Sequence, residues 1–286
     1  MNDKLFIRLQ HWVPQHALSR WAGAVANSKI GFIKNTFITW FIKRYNVDMS
    51  IAVEENPRAY ESFNDFFTRA LKPGVRPICK EPPAIVCPAD GSISQLGKII
   101  NGRIFQAKDQ DYCLEELIGG DAAIAQEFAN GDFATVYLSP KDYHRVHMPY
   151  GGKLRTMVSI PGDLFSVNTV TAENVERLFS RNERVAAIFD TDIGPMAVVL
   201  VGAMIVAGIE TVWHGERSRM GSREIETTLY PHQNIVLEKG AEMGRFKLGS
   251  TAIILFAKNK IQWEPQFVAG TATRVGVKMG EKITQQ

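Results

Sequence analysis

Apolar residues in the first fifty positions recur at helical spacing. Leu5, Leu9 and Trp12 form one stripe, Leu18, Trp21 and Val25 a second, and Ile30, Ile33, Phe37, Trp40 and Phe41 a third. Pro14 and the Asn27-Ser28 pair separate them, so the pattern predicts three short amphipathic helices. Another short helix is expected over residues 62–69, ended by Leu71-Lys72-Pro73-Gly74. From about residue 84 the period changes. Short β-branched runs alternate with turn residues, and strands are expected at 92–96, 99–106, 133–138, 152–158, 185–189, 197–201, 204–207, 234–238 and 251–256. Helices are expected to interrupt them at 113–118, 122–128 and 172–178. The order predicts an α+β fold: a mostly antiparallel β domain over 51–286, with an N-terminal layer of short amphipathic helices over 1–50.

Composition narrows the classes. A chain of 286 residues, 45% hydrophobic and 22% charged, can bury a large core and is neither disordered nor of low complexity. A net charge of +3 argues against dedicated nucleic-acid binding. That charge is uneven, because residues 1–50 carry seven Lys and Arg against Asp3 and Asp48. Basic amphipathic helices bearing Trp and Phe fit the surface of an anionic bilayer. They fit equally a layer over the protein's own core, or a dimer interface. A spanning helix is not expected. The longest uncharged run, residues 193–209, falls short of the ~20 apolar residues needed to span, and Pro195, Gly202 and Gly208 interrupt it. No secretory signal pattern is present at the N-terminus. Cys79, Cys87 and Cys113 are odd in number and lack a CxxC, which points to a reducing compartment without a disulfide framework.

Three short segments carry reactive side chains. Asp90, between Pro88-Ala89 and Gly91, stands where a strand begins, a place for a fixed carboxylate as well as for a plain turn. In Ser139-Pro140-Lys141-Asp142-Tyr143-His144-Arg145-Val146-His147, Ser139 suits an N-cap and Pro140 the first helical position. A short helix there would set His144 and His147 on one face, for acid–base work or for a metal with Asp90 or His214 as third ligand. Two ordinary surface histidines fit the same pattern. Gly249-Ser250 precedes the apolar run 252–256 and presents a hydroxyl beside a peptide carbonyl, or forms a hairpin turn. Asp, His and Ser together allow a triad in any chain order. The absence of Gly-x-Ser-x-Gly argues against an ordinary hydrolase.

Taken in order, these segments resemble the phosphatidylserine decarboxylases of the bacterial membrane-associated type. Leu248-Gly249-Ser250-Thr251 matches that family's self-cleavage motif. Phe66-Phe67-Thr68-Arg69-Ala70-Leu71-Lys72-Pro73-Gly74-Val75-Arg76-Pro77 resembles its N-proximal signature. Cys87-Pro88-Ala89-Asp90-Gly91, Tyr143-His144-Arg145-Val146-His147 and Pro161-Gly162-Asp163-Leu164-Phe165-Ser166-Val167-Asn168 resemble three more of its blocks. The resemblance runs to about residue 257.

The resemblance implies a self-processing lyase. An α-amino acid loses CO2 only into an electron sink, and here the sink would be a pyruvoyl group made from Ser250. Ser250 Oγ would attack the Gly249 carbonyl, the ester would undergo β-elimination, and loss of ammonia would leave the pyruvoyl. The products would be a β chain, 1–249, and an α chain, 250–286. His147, oriented by Asp90, is the expected base for Ser250. His144 is expected to donate the proton or handle the carboxylate when phosphatidylserine, bound as a Schiff base, becomes phosphatidylethanolamine. Ser166 and Asn168 are expected as weaker headgroup contacts, and no metal is expected. The implied surroundings are an anionic membrane containing phosphatidylserine, peripheral attachment at the cytoplasmic face of the cell membrane, and a homodimer. Three other readings keep the chain unbroken or change the lipid. They are a Ser-His-Asp hydrolase with Ser250 intact, a membrane-surface binding module, and a decarboxylase of another serine-headed lipid.

Overall fold

The computed structural model describes residues 14–204, 208–217, 224–247 and 250–283, together with Ile7, Gln10 and Trp12. Its centre is a nine-stranded antiparallel sheet. The strand Ser250–Phe256 runs through the middle, between Gly194–Gly202 and Asp132–Leu138. Gly91–Lys98 continues the sheet beyond Asp132–Leu138, and Arg184–Thr191 and Gly152–Ile160 extend it beyond Gly194–Gly202.

The central strand shows why the run after Ser250 is apolar without alternation. Successive side chains point to opposite faces. Ala252, Ile254 and Phe256 enter one core, with Leu200, Val136 and Phe246, while Ile253 and Leu255 enter another, with Val199 and Phe133. A sheet buried on both faces needs apolar residues at every position. Each fully buried Ile, Leu or Phe of this strand contributes roughly 1.5–3 kcal/mol. The first core is closed by a four-stranded sheet (Arg145–His147, Gly208–Thr211, Gly215–Arg217, Glu242–Lys247) and a three-stranded sheet (Ala84–Val86, Ile261–Trp263, Lys278–Lys282). The short helices Leu114–Leu117, Ala122–Phe128, Thr169–Asn174 and Leu178–Arg181 cover the second. This is the expected α+β architecture with a mostly antiparallel body.

Two helices, Gln15–Ala26 and Gly31–Tyr45, lie outside this body. Asn46 ends the second in the left-handed conformation at φ 52°, with Lys43 and Arg44 in the last turn against the carbonyl end of the helix dipole. A five-residue helix, Phe63–Phe67, starts at Ser62, whose side chain accepts from the Asp65 N–H while Asp65 accepts from the Glu61 N–H. Its aromatic rings join Ile38 and Phe41 in a third core, so the helical layer extends to Phe67. No described helix is long and apolar enough to cross a membrane.

Some expected elements differ. The run 99–106 is broken by a turn at Asn101-Gly102, both at positive φ, and pairing begins only at Arg103. The helix expected at 172–178 is two, Thr169–Asn174 and Leu178–Arg181, because Arg177 at φ 53° cannot continue the first. No helix spans Ser139–His147. Asp142 accepts from both the Ser139 N–H and hydroxyl at 2.7 Å, which closes a turn, and Arg145–His147 then joins the four-stranded sheet. Leu5, Leu9, residues 205–207 of one expected strand, Leu248 and Gly249 lie outside the described residues.

Candidate active site

Ser250 opens the central strand, opposite Leu138 on one side and Gly202 on the other, and is fully buried. His144 Nδ1 stands 3.4 Å from its hydroxyl oxygen. The other ring nitrogen, Nε2, lies 3.0 Å from the Ser139 carbonyl. A carbonyl only accepts, so Nε2 carries the proton and Nδ1 turns a bare lone pair toward the hydroxyl. Phe67 stacks on the imidazole with centroids 3.9 Å apart and completes its burial. Burial, together with the positive charge of Arg69, drives the His144 pKa down to about 3. The ring is therefore neutral and available as a base across the physiological range.

His147 is placed differently. Its Nδ1 donates to the Gly240 carbonyl at 2.8 Å, and its Nε2 accepts from the Tyr143 hydroxyl at 3.2 Å. Burial pushes the Tyr143 phenol up to about 12, so it stays protonated and can donate. Burial also lowers the His147 pKa, opposed by the Gly240 carbonyl. Asp90 is held by the Arg76 guanidinium, whose Nε lies 2.9 Å from both carboxylate oxygens, and by the Val275 N–H at 2.9 Å. Gly91 lets this segment press against the next strand, since a Cβ there would meet the Tyr137 carbonyl oxygen at 2.1 Å.

The structure thus brings His144 and Ser250 together. It does not put Asp90 or His147 in hydrogen-bonding contact with Ser250 or with each other. The two segments are neighbours, however, because the His147 N–H donates to the Pro88 carbonyl at 2.8 Å. Asn168 caps the helix Thr169–Asn174 by accepting from the Thr171 N–H at 2.9 Å, and the Ser166 hydroxyl accepts from the Asn168 N–H. Their side chains hold this turn. His214 Nδ1 lies 3.1 Å from the Tyr230 hydroxyl, and no three His, Cys, Asp or Glu side chains converge among the described residues. Sequence reasoning missed Phe67, Arg69 and Arg76 as parts of the site. Their signal was present in the 66–77 block, but only tertiary contact gives those residues roles.

An apolar cavity of about 820 Å³ opens between the two outer helices and the body. Phe67 and Pro140 belong to its wall, so it ends against the residues that hold His144. Trp21, Phe32, Ile33 and Trp40 line it and remain exposed, Phe32 by 82% and Trp21 by 67%. The helices are instead seated on the body through Ser19, Gly23, Ala26, Ile38 and Phe41. Lys34 is tied to the Arg58 and Tyr60 carbonyls at 2.8 and 2.6 Å, whereas Lys43 and Arg44 are exposed.

A buried hydroxyl facing the lone pair of a neutral imidazole is the arrangement of a nucleophile and its base, which marks an enzyme. Comparison with protein families gives its class. Residues 63–285 match the family described as phosphatidylserine decarboxylase, and residues 5–46 match a second description, PSD. The chain is 57% identical over 286 residues to a phosphatidylserine decarboxylase proenzyme of Pseudomonas putida, covering 99% of both chains. It is 59% identical over 288 residues to a proenzyme of the same name from Pseudomonas fluorescens, covering 100% of this chain and 99% of that one. A third, from Ectopseudomonas mendocina, is 58% identical over 283 residues, covering 98% of this chain and 99% of the relative. The chain belongs to the phosphatidylserine decarboxylase family, a family of carboxy-lyases.

Proposed function

We propose that this chain is a proenzyme that cuts itself between Gly249 and Ser250 and then decarboxylates phosphatidylserine at a membrane surface. The observation that carries the reading is the Nδ1 lone pair of a neutral His144 aimed at the Ser250 hydroxyl beside an apolar cavity. The residues present fit a pyruvoyl group at position 250. The serine that would become the group is buried, has a base within reach, and sits at a strand end that a chain break would leave anchored by pairing on both sides.

His144 takes the proton as Ser250 Oγ adds to the preceding carbonyl. Its Nε2 contact with Ser139 and its stack on Phe67 hold the lone pair on the hydroxyl. Burial keeps bulk water from competing at Ser250. Asp90 and His147 make their hydrogen bonds to other partners in this conformation. A triad made of them would require Arg76 to release Asp90, and Gly240 and Tyr143 to release His147. A pyruvoyl group at residue 250 would supply the sink for the electrons released with CO2. The cavity supports a diacyl lipid as substrate, with tails among Trp21, Phe32 and Trp40 and the headgroup toward Phe67 and Pro140. The same exposed rings, with Lys43 and Arg44, support peripheral docking on an anionic bilayer.

Denaturing mass measurement together with CO2 release from phosphatidylserine vesicles tests the proposal. A fragment spanning 250–286 that begins with a ketone, and CO2 release that depends on it, is the expected result. A fragment beginning with unmodified Ser would mean proteolysis. An intact chain labelled by a serine-directed phosphonate would support the hydrolase reading instead.

A further inference from the structure

The guanidinium of Arg69 is buried, with 3% of the residue exposed, and two of its three nitrogens, Nε and Nη1, have no hydrogen-bond partner. Only Nη2 is engaged, weakly, with the Lys141 carbonyl at 3.3 Å, and the cation lies over the Phe66 ring at 5.5 Å from its centroid. A buried charge normally has a partner, because desolvation without one is costly. The acidic side chains whose charge reaches Arg69 are Asp142, Asp90 and Asp48, and all three are already occupied, Asp48 by the Ser50 N–H and hydroxyl. Asp142 accepts from Ser139 twice, and Asp90 accepts from Arg76 and from the Val275 N–H.

The position of this cation shows where its partner would come from. Arg69 follows Phe67, the ring stacked on His144, by two residues. Its one acceptor, Lys141, follows Pro140 of the cavity wall and lies in the turn that presents His144. The free Nε–H and Nη1–H lie on different edges of the guanidinium, and each edge is completed into a two-pronged donor by a hydrogen of Nη2, which suits a carboxylate or a phosphate oxygen pair. Of these, a carboxylate is what the chemistry at residue 250 would create or consume.

We propose that Arg69 is the receiving site for a carboxylate delivered beside residue 250. This inference rests on the proposed function, which supplies two such carboxylates. One is the headgroup carboxylate of phosphatidylserine before it leaves as CO2. The other is the new C-terminus of Gly249, which carries a full negative charge once the ester to Ser250 Oγ has eliminated. His144 first returns the hydroxyl proton to the leaving amide nitrogen as the ester forms. In the elimination the neutral ring takes the Cα proton of residue 250, the Cβ–Oγ bond breaks with its electron pair going to the Gly249 carboxylate, and residue 250 becomes dehydroalanine.

Arg69→Met and Arg69→Lys distinguish the two. Self-cleavage is followed by intact mass. In the processed enzyme, KM for phosphatidylserine in phosphatidylcholine vesicles is compared with inhibition by phosphatidylethanolamine in the same vesicles. A charged hydrogen-bonded partner is worth about a ten- to hundred-fold effect. If the headgroup is held, Arg69→Met cleaves normally, KM rises by that factor and inhibition by phosphatidylethanolamine is unchanged. If the Gly249 carboxylate is held, cleavage slows by that factor while KM of the processed fraction is kept. In both cases Arg69→Lys lies between Met and wild type. Equal weakening of both lipids, or wild-type behaviour in both assays, overturns the inference. Should the Met variant not fold, unchanged cleavage and headgroup discrimination in Arg69→Lys overturns it as well. Failure of wild type to cleave or to release CO2 would strike the proposed function instead.

Discussion

Replacing His144 by Gln removes the one base in contact with Ser250 among the described residues and keeps a polar side chain of similar size. General-base catalysis contributes roughly 100- to 10,000-fold. The geometry sets the expectation at the low end. The Nδ1···Oγ separation is 3.4 Å, so the two must close by about half an ångström before a proton can pass. The imidazole is also a weak base, with its pKa held near 3. A slowing of ~100-fold, or about 2.7 kcal/mol of barrier, is therefore expected. The assay is a time course of freshly synthesised precursor, with the 32.0 kDa chain and its fragments separated by denaturing mass spectrometry. In wild type the rate should be flat from pH 5 to 8, because the ring is already neutral throughout. Phe67→Leu is the control: it removes the stack and keeps the base, so it should slow cleavage far less. Normal cleavage in His144→Gln, with loss only in His147→Ala, would refute the assignment and favour a rearranged Asp90–His147 relay. A rate that changes with pH anywhere between 5 and 8 would also refute the assignment, because a neutral His144 does not titrate there.

Acid should destabilise the protein through His144. Its pKa is about 3 when folded and near 6.5 when unfolded, so the unfolded chain binds the proton first and stability falls as pH drops from about 6.5 toward 3. The loss by pH 4 is about 3 kcal/mol, and chemical denaturation of His144→Gln at pH 7 and pH 4 should show a correspondingly smaller decrease. Asp90→Asn breaks a part-buried ion pair with Arg76 and should cost about 1–3 kcal/mol, with part recovered in the double variant with Arg76→Met. Thermal melts that show no such recovery would mean that Asp90 acts through Val275 alone. Reversing Lys43 and Arg44 to Glu should weaken flotation with anionic vesicles while leaving self-cleavage intact, since both side chains are exposed and neither is bonded to Ser250 or His144. Unchanged flotation would defeat membrane docking by this helix end. Lys34 is unsuitable for that test, because it anchors the 58–60 loop.

Local pattern carried the sequence reading a long way. The central strand was legible as an apolar run, and its lack of alternation already encoded a sheet covered on both faces. Ala122–Phe128 was legible because Asp121 caps it and accepts from the Ala123 and Ile124 N–H groups. Ser250, His144, His147 and Asp90 were legible as reactive groups in turn-rich settings. Their partners were not, because hydrogen bonds between residues far apart in the chain leave no periodicity. His144 and Ser250 are separated by 106 positions, and Arg76 and Asp90 belong to different segments. The expected helix over Ser139–His147 failed for a similar reason. Ser139 and Pro140 were read as the start of a helix, but Asp142 closes a turn on Ser139 instead, and pairing of Arg145–His147 with Glu242–Lys247 prevailed over the local helical option. The sequence alone therefore determined which groups can react and the layers in which they lie. Only the tertiary structure decided which imidazole meets the serine, because that choice depends on the strand register and on the Phe67 ring that shields His144 from water.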